Sequence, residues 1–89
     1  MGGEPLCEQN TLLTLMTIQY VKQRLPETKI YIWTGYCYND LIQSNDPKIK
    51  LILQEIDVLI DEPYIEELRD ITLKMRGSSN QKIIYLKEN

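Results

Sequence analysis

Gly2-Gly3-Glu4-Pro5 is the stretch in this sequence whose residue types best suit chemistry. Two consecutive glycines open backbone conformations closed to other residues and let a ligand approach the main chain. Glu4 sets one carboxylate beside that open backbone. Pro5 removes a donor and fixes the exit direction. Such a turn suits a ligand with a positive charge and several hydrogen-bond donors, such as an amino-acid ammonium. A plain flexible start to the chain is the competing reading of the same residues.

Three further groups carry polar chemistry. Thr34-Gly35-Tyr36 follows one apolar run, and Asp61-Glu62 follows another. Arg76 stands in a polar Arg76-Gly77-Ser78-Ser79-Asn80 loop, where a fork of donors beside small hydroxyls suits an anion. Each also has a structural reading, as a turn, as solvated charges at a strand end, and as an ordinary connection. The six tyrosines read as packing residues with a polar tip. Cys7 and Cys37 lie far apart and form neither a metal-spaced nor a C-x-x-C redox pair, so they read as small buried hydrophobes. The chain has no histidine, which removes the commonest general base and metal ligand.

The elements that must position these residues follow from hydrophobic periodicity. Glu8 to Leu25 has a helical stripe of Leu12, Leu13, Leu15, Met16, Ile18, Tyr20, Val21 and Leu25, with Asn10 as a candidate cap and Pro26 as the stop. Lys29 to Trp33 is nearly continuous in β-branched and aromatic residues, as in a parallel strand buried on both faces. Tyr36 to Gln43 reads as a short helix or ordered loop. Asp46-Pro47 starts a helix that runs to Gln54 or Glu55. Ile56 to Ile60 is a second strand with Asp61 at its end, and Lys82 to Leu86 is a last one. Between them stand a helical turn at Glu66 to Arg69, an ambiguous stretch from Asp70 to Met75, and the polar loop.

Helices alternating with buried strands predict an α/β fold of parallel βα units. Ligands in such folds bind at the carboxyl ends of the strands. On that topology Gly2–Pro5, Thr34, Tyr36 and Asp61 meet at one lip. A parallel βα order also calls for a strand ahead of the Gly2-Gly3 turn. The chain therefore reads as a fold entered part-way, with its N-terminal βα unit missing.

Composition narrows the classes. At 89 residues, 43% hydrophobic and 26% charged, the chain suits one small globular domain, with residues 1–89 as a single unit. Its net charge of −3 argues against non-specific nucleic-acid binding. No apolar run approaches the ~20 residues of a membrane span. No secretory signal is visible, and the expected compartment is a reduced cytoplasm.

Taken in order, the motifs resemble one family. Gly2-Gly3-Glu4-Pro5-Leu6 resembles the Gly-Gly-Glu/Asp-Pro element of radical S-adenosylmethionine enzymes. Ile32-Trp33-Thr34-Gly35-Tyr36, then Ile56-Asp57-Val58-Leu59-Ile60-Asp61, then Arg76-Gly77-Ser78-Ser79-Asn80-Gln81-Lys82-Ile83-Ile84 follow the pattern of anaerobic ribonucleoside-triphosphate reductase activating proteins. The resemblance runs over nearly the whole chain, and the Arg-Gly-Ser-Ser-Asn-Gln run is its most specific part. It implies a partial radical-SAM (βα) barrel. It also implies a 4Fe-4S cluster that binds S-adenosylmethionine and cleaves it reductively. The resulting 5′-deoxyadenosyl radical would abstract hydrogen from a glycine of the large catalytic subunit of the anaerobic ribonucleotide reductase. Gly2, Gly3, Glu4 and Pro5 would hold the methionyl amino group, and Thr34, Tyr36 and Asp61 would stand near the ligand.

The chain departs from the family at one point. The cluster-binding C-x3-C-x2-C motif is absent, and two separated thiols do not replace it. The resemblance then implies the C-terminal portion of an activase, catalytically incompetent alone, with no catalytic or metal residue of its own. The alternative is a non-catalytic α/β interaction module, whose open sheet edge would favour self-association or binding to the reductase subunit. A nucleotide-binding domain is disfavoured, because G-x-G-x-x-G and the P-loop are absent.

Overall fold

The computed structural model describes residues 4–87, so the Gly2-Gly3 pair lies outside the described residues. Chain order is α1 (Thr11–Arg24), β1 (Tyr31–Trp33), α2 (Tyr38–Ile42), α3 (Pro47–Glu55), β2 (Val58–Asp61), one 3-10 turn (Glu66–Leu68) and β3 (Lys82–Tyr85). The strands form one sheet in the order β1-β2-β3.

β1 and β2 run parallel, with Ile32 opposite Leu59. A parallel step needs a crossover, and α2 and α3 supply it. Asp57 fixes the start of the pair: its carboxylate accepts from Ile30 N at 2.8 Å, and its own N–H donates to Ile30 O at 2.9 Å. β3 pairs antiparallel with β2, Leu59 opposite Ile84. This corrects the expectation of an all-parallel sheet. The connection 62–81 carries a single 3-10 turn and no helix that could cross the sheet. It folds on itself through an Arg69–Ser78 bridge and returns along the same edge. An α/β class with a small mixed sheet is what forms, and no barrel closes among the described residues.

The core lies on one face of the sheet. Ile32 and Leu59, with partly buried Ile84, meet Leu15 and Ile18 of α1 and Ile49 and Ile52 of α3. α1 and α3 thus lie side by side on that face. The expected stripe of α1 is only partly buried, since Leu12, Leu13, Met16, Tyr20 and Leu25 stay exposed. β2 is buried along its whole length, but β1 buries only Ile32 and exposes Tyr31 and Trp33. β1 is an edge strand, which corrects the expectation that Lys29 to Trp33 is buried on both faces; β2 is the strand so buried.

Of the three helix starts, only that of α3 carries a local side-chain cap. Asp46 caps α3, accepting from Lys48 N at 2.9 Å, with Pro47 in the first turn. Asn10 precedes α1 without capping it by side chain; its amide donates to Glu4 O at 2.9 Å instead. The Lys48 backbone hydrogen bond, followed by the Lys48 side chain, holds the Asp46 carboxyl below its usual range. A depressed carboxyl stabilises fully above its unfolded value of about 4, and that contribution is lost as pH falls through the folded value. Thermal melts of Asp46→Ala and the parent should therefore differ by a constant gap near neutral pH that closes in acid. A gap that persists unchanged at the most acid pH rules out this role for the carboxylate.

Candidate functional site

The strand ends bring Glu4, Pro5, Thr34, Tyr36 and Asp61 to one lip, on two adjoining hydrogen-bond networks, while Gly2 and Gly3 lie outside the described residues. The first centres on Glu4. Its carboxylate accepts from Thr34 Oγ1 at 2.5 Å, Gly35 N at 2.6 Å and Leu6 N at 3.0 Å. Thr34 is buried, and its N–H continues the ladder to Ile60 O at 2.9 Å. Its hydroxyl oxygen also accepts from Tyr36 N at 3.2 Å. Pro5 O accepts from Thr14 Oγ1 at 2.8 Å, which ties the turn to α1. The Glu4 turn is thus fastened to the exit of β1. A carboxylate has about four lone-pair positions, so about one stays open for an incoming donor.

The fastening has a measurable consequence. Glu4→Ala removes three hydrogen bonds to a charged acceptor, and we expect a loss of about 2–3 kcal/mol in urea unfolding. Glu4→Gln keeps one acceptor oxygen and should lose about half as much. Equal stability of all three proteins would show that the contact does not hold the turn. Gly35 also leaves little room here, because a Cβ at that position stands 3.3 Å from Glu4 Oε1.

The second network centres on Asp61, which is fully buried at the end of β2. One oxygen accepts from Tyr38 N at 2.9 Å and so satisfies the start of α2; the other accepts from Lys82 N at 3.2 Å. The Lys82 ammonium bridges Asp61 at 3.3 Å and Glu62 at 2.7 Å. Its hydrogen bond to Glu62, then Asp61, raises the Lys82 pKa above its ordinary value. Glu62 has a positive φ of 69°, a conformation unusual outside glycine. Its N–H donates to Tyr36 O at 2.9 Å, which joins the two lip segments.

Between these networks opens a cleft of about 540 Å³, lined in part by Gly35, Tyr36, Cys37, Asp40, Leu41 and Glu62. Tyr36 and Glu62 face it, whereas Glu4, Thr34 and Asp61 form the scaffold beside it. Both cysteines are free and half-buried. Cys37 Sγ and one oxygen each of Asp61 and Glu62 lie within 4.8 Å of one another. The Lys82 ammonium already sits against both carboxylates, so positive charge is supplied there by the chain itself.

Sequence reasoning missed Lys82 and Gln81. Gln81 Oε1 accepts from Gly77 N at 2.9 Å and Ser78 N at 3.2 Å, and its amide donates to Glu62 O at 3.0 Å. Ser78 Oγ donates to Asn80 Oδ1 at 2.6 Å, and Asn80 donates to Pro63 O at 2.9 Å. Arg76 Nη1 donates to Gln81 O at 2.9 Å. The Arg-Gly-Ser-Ser-Asn-Gln run, read as an anion contact, spends its polar groups on folding the 62–81 connection. Arg76 Nε alone is buried without a partner among the described residues. The signal was available: a dense run of small polar residues before a strand is what a self-bonded loop requires.

A family model described as a 4Fe-4S single cluster domain matches residues 1–84. The anaerobic ribonucleoside-triphosphate reductase-activating protein of Haemophilus influenzae is 42% identical over 82 residues, which is 92% of this chain and 50% of that protein. The protein of the same name from Escherichia coli is 35% identical over 86 residues, 97% of this chain and 53% of its own length. That of Enterobacteria phage T4 is 38% identical over 82 residues, 92% of this chain and 48% of its own. The chain spans about half the length of the curated relatives it matches. No solved structure gives a significant match. The chain thus belongs to the 4Fe-4S single cluster domain family, and its curated homologues are anaerobic ribonucleoside-triphosphate reductase-activating proteins.

Proposed function

We propose that this chain is the C-terminal portion of a radical S-adenosylmethionine activase and forms the S-adenosylmethionine side of its site. The observation that carries the reading is the fastening of Glu4 to Thr34 and Gly35 at the exit of β1. It holds Glu4 at the sheet end where α/β proteins bind ligands. Gly2, Gly3 and Pro5 would shape the approach to the methionyl ammonium, and Glu4 would offer its remaining lone pair. Thr34 and Asp61 act as positioning residues, and Tyr36 lines the adjoining cleft. In the intact protein the partner would be the large catalytic subunit of the anaerobic ribonucleotide reductase, and the setting cytoplasmic.

The residues of this chain do not fit a 4Fe-4S cluster. A cluster takes several thiolates in close array. The chain has two cysteines, and Cys37 stands against two carboxylates rather than a second thiol. We therefore assign the chain no cluster ligand and no catalytic residue, and read it as incompetent by itself.

A chimera tests the proposal. This chain replaces the matched half of the Haemophilus influenzae relative, and the product is reconstituted anaerobically with iron and sulfide. We expect the chimera to release 5′-deoxyadenosine from S-adenosylmethionine, and the 89-residue chain alone to release none. A chimera that carries a cluster yet cleaves no S-adenosylmethionine would sink the assignment. A stable cluster with cleavage on the chain alone would overturn the claim of incompetence.

A further inference from the structure

α1 is apolar on two sides. Leu15 and Ile18 belong to the core. Leu12, Met16 and Tyr20 face outward and are 57%, 56% and 55% exposed. Residues at i and i+4 lie one above the other on a helix, so these three form a single ridge. The same spacing continues at both ends. Glu8 stands four residues before Leu12, on the turn that leads into α1, where Thr11 N donates to Cys7 O at 3.0 Å. Arg24 stands four residues after Tyr20, its guanidinium 4.6 Å from the centre of the Tyr20 ring. Both charged residues are exposed. No residue from 9 to 21 is charged. A surface helix ordinarily turns charged residues to water, so an outer ridge of three large apolar side chains calls for a partner.

The ridge is separate from the groove beside β1. Leu13, Thr14, Thr17 and Ile18 line that groove, and Leu12, Met16 and Tyr20 do not. At roughly 100° per residue, the ridge lies on the other flank of the helix.

The charges choose the occupant. Read backwards, Glu8-Leu12-Met16-Tyr20-Arg24 is its own complement, because Glu8 and Arg24 each stand eight residues from Met16. A two-fold axis beside Met16 sets Glu8 against Arg24 of a second copy, Leu12 against its Tyr20, and Met16 against its Met16. Ridges of this i±4 kind pack on one another at about 50°, the commonest helix crossing. Three apolar side chains per copy fall short of the ~800 Å² per partner of a standard interface, so the contact is weak and depends on concentration. Asn10 and Thr14 hold the Glu4 turn at the N-terminal end of the same helix. Antiparallel copies carry these turns at opposite ends of the helix pair, which leaves both lips open.

We propose that the outer ridge of α1 is a self-association surface, packed antiparallel against the same ridge of a second copy of this chain. The proposal does not depend on the functional reading above.

Sedimentation velocity of the 89-residue chain tests it, from about 5 to 500 µM, the range a weak interface needs. We expect a monomer–dimer equilibrium that shifts toward monomer as salt rises. Glu8→Arg and Arg24→Glu should each weaken the dimer about tenfold, since each turns two attractive pairs into two repulsive ones. An equimolar mixture of the two variants should recover parent-like association, because every pair is again opposite in sign. Both positions are exposed, and recovery on mixing shows that the variants remain folded. Met16→Glu, which sets two carboxylates face to face at the axis, should also weaken the dimer. A chain that stays monomeric at the highest concentration overturns the proposal. So does a dimer indifferent to Met16→Glu, or charge variants that fail to recover on mixing. The chimera with the Haemophilus influenzae half should show the same response to the paired charge variants. A chimera that is monomeric where the chain is dimeric would give the ridge to that half and overturn self-association.

Discussion

Asp61→Ala lowers the unfolding free energy of this chain by about 3–4 kcal/mol, because a buried charged acceptor with two backbone donors is lost. The side chain is fully buried and serves Tyr38 N and Lys82 N at once. Alanine leaves both N–H groups without an acceptor. Lys82 itself contributes less to the loss, since its side chain is half exposed and turns to Glu62 and water. Asp61→Asn preserves shape and one acceptor, so about 1–2 kcal/mol is expected. A domain of this size has about 5–10 kcal/mol in all, so the alanine variant sits near the edge of folding. Urea unfolding at neutral pH is the measurement. A loss under about 0.5 kcal/mol for Asp61→Ala would mean that solvent replaces the carboxylate, and that the network is ornamental to the fold.

Leu59→Ala is expected to cost about 3–4 kcal/mol through a cavity that the chain cannot close. Leu59 is fully buried in the central strand, between Ile32 and Ile84 in register and beneath α1 and α3. Both neighbouring strands are held by their ladders, so neither moves in to fill the space. Leu59→Met, which roughly conserves volume, should cost less than about 1.5 kcal/mol. Leu13→Ala on the exposed side of α1 should stay within about 0.5 kcal/mol. If Leu59→Ala and Leu13→Ala prove equally mild, the core is not where the packing places it.

Both predictions bear on the lip. Asp61 joins β2, α2 and β3 at the end where Tyr36 and Glu62 open the cleft. Leu59 holds the strand that brings Asp61 there. Variants at either position should loosen the site before they touch any ligand.

The sequence by itself determined α1, α3 and the three strands, with both ends of α3, while the ends of α1 shifted by up to three residues. Asp46-Pro47 starts α3 because a cap and a fixed φ act within a few residues. The apolar runs at Tyr31–Trp33 and Val58–Ile60, rich in β-branched and aromatic residues, are strands because their side chains suit a pleated surface. The parallel step between them was also legible, from the helical segment that links them. The direction of β3 was not. Its residues alternate alike in either orientation, and only the folding of 62–81 back upon itself settles it. Burial of β1 on one face likewise depends on which strand lies at the edge, a property of the sheet and not of the run.

The same division holds at the site. Glu4, Thr34, Tyr36 and Asp61 could be named from motif and strand end. Which of them line the cleft and which act as fasteners could not. A carboxylate takes whichever donors the fold delivers, and Thr34 reaches Glu4 across a separation of 30 residues. Lys82 carried no sequence signal for the lip, because the antiparallel return that brings it to Asp61 is a tertiary event. Local rules act over a few bonds, whereas the partners of buried charges are chosen only when distant segments pack.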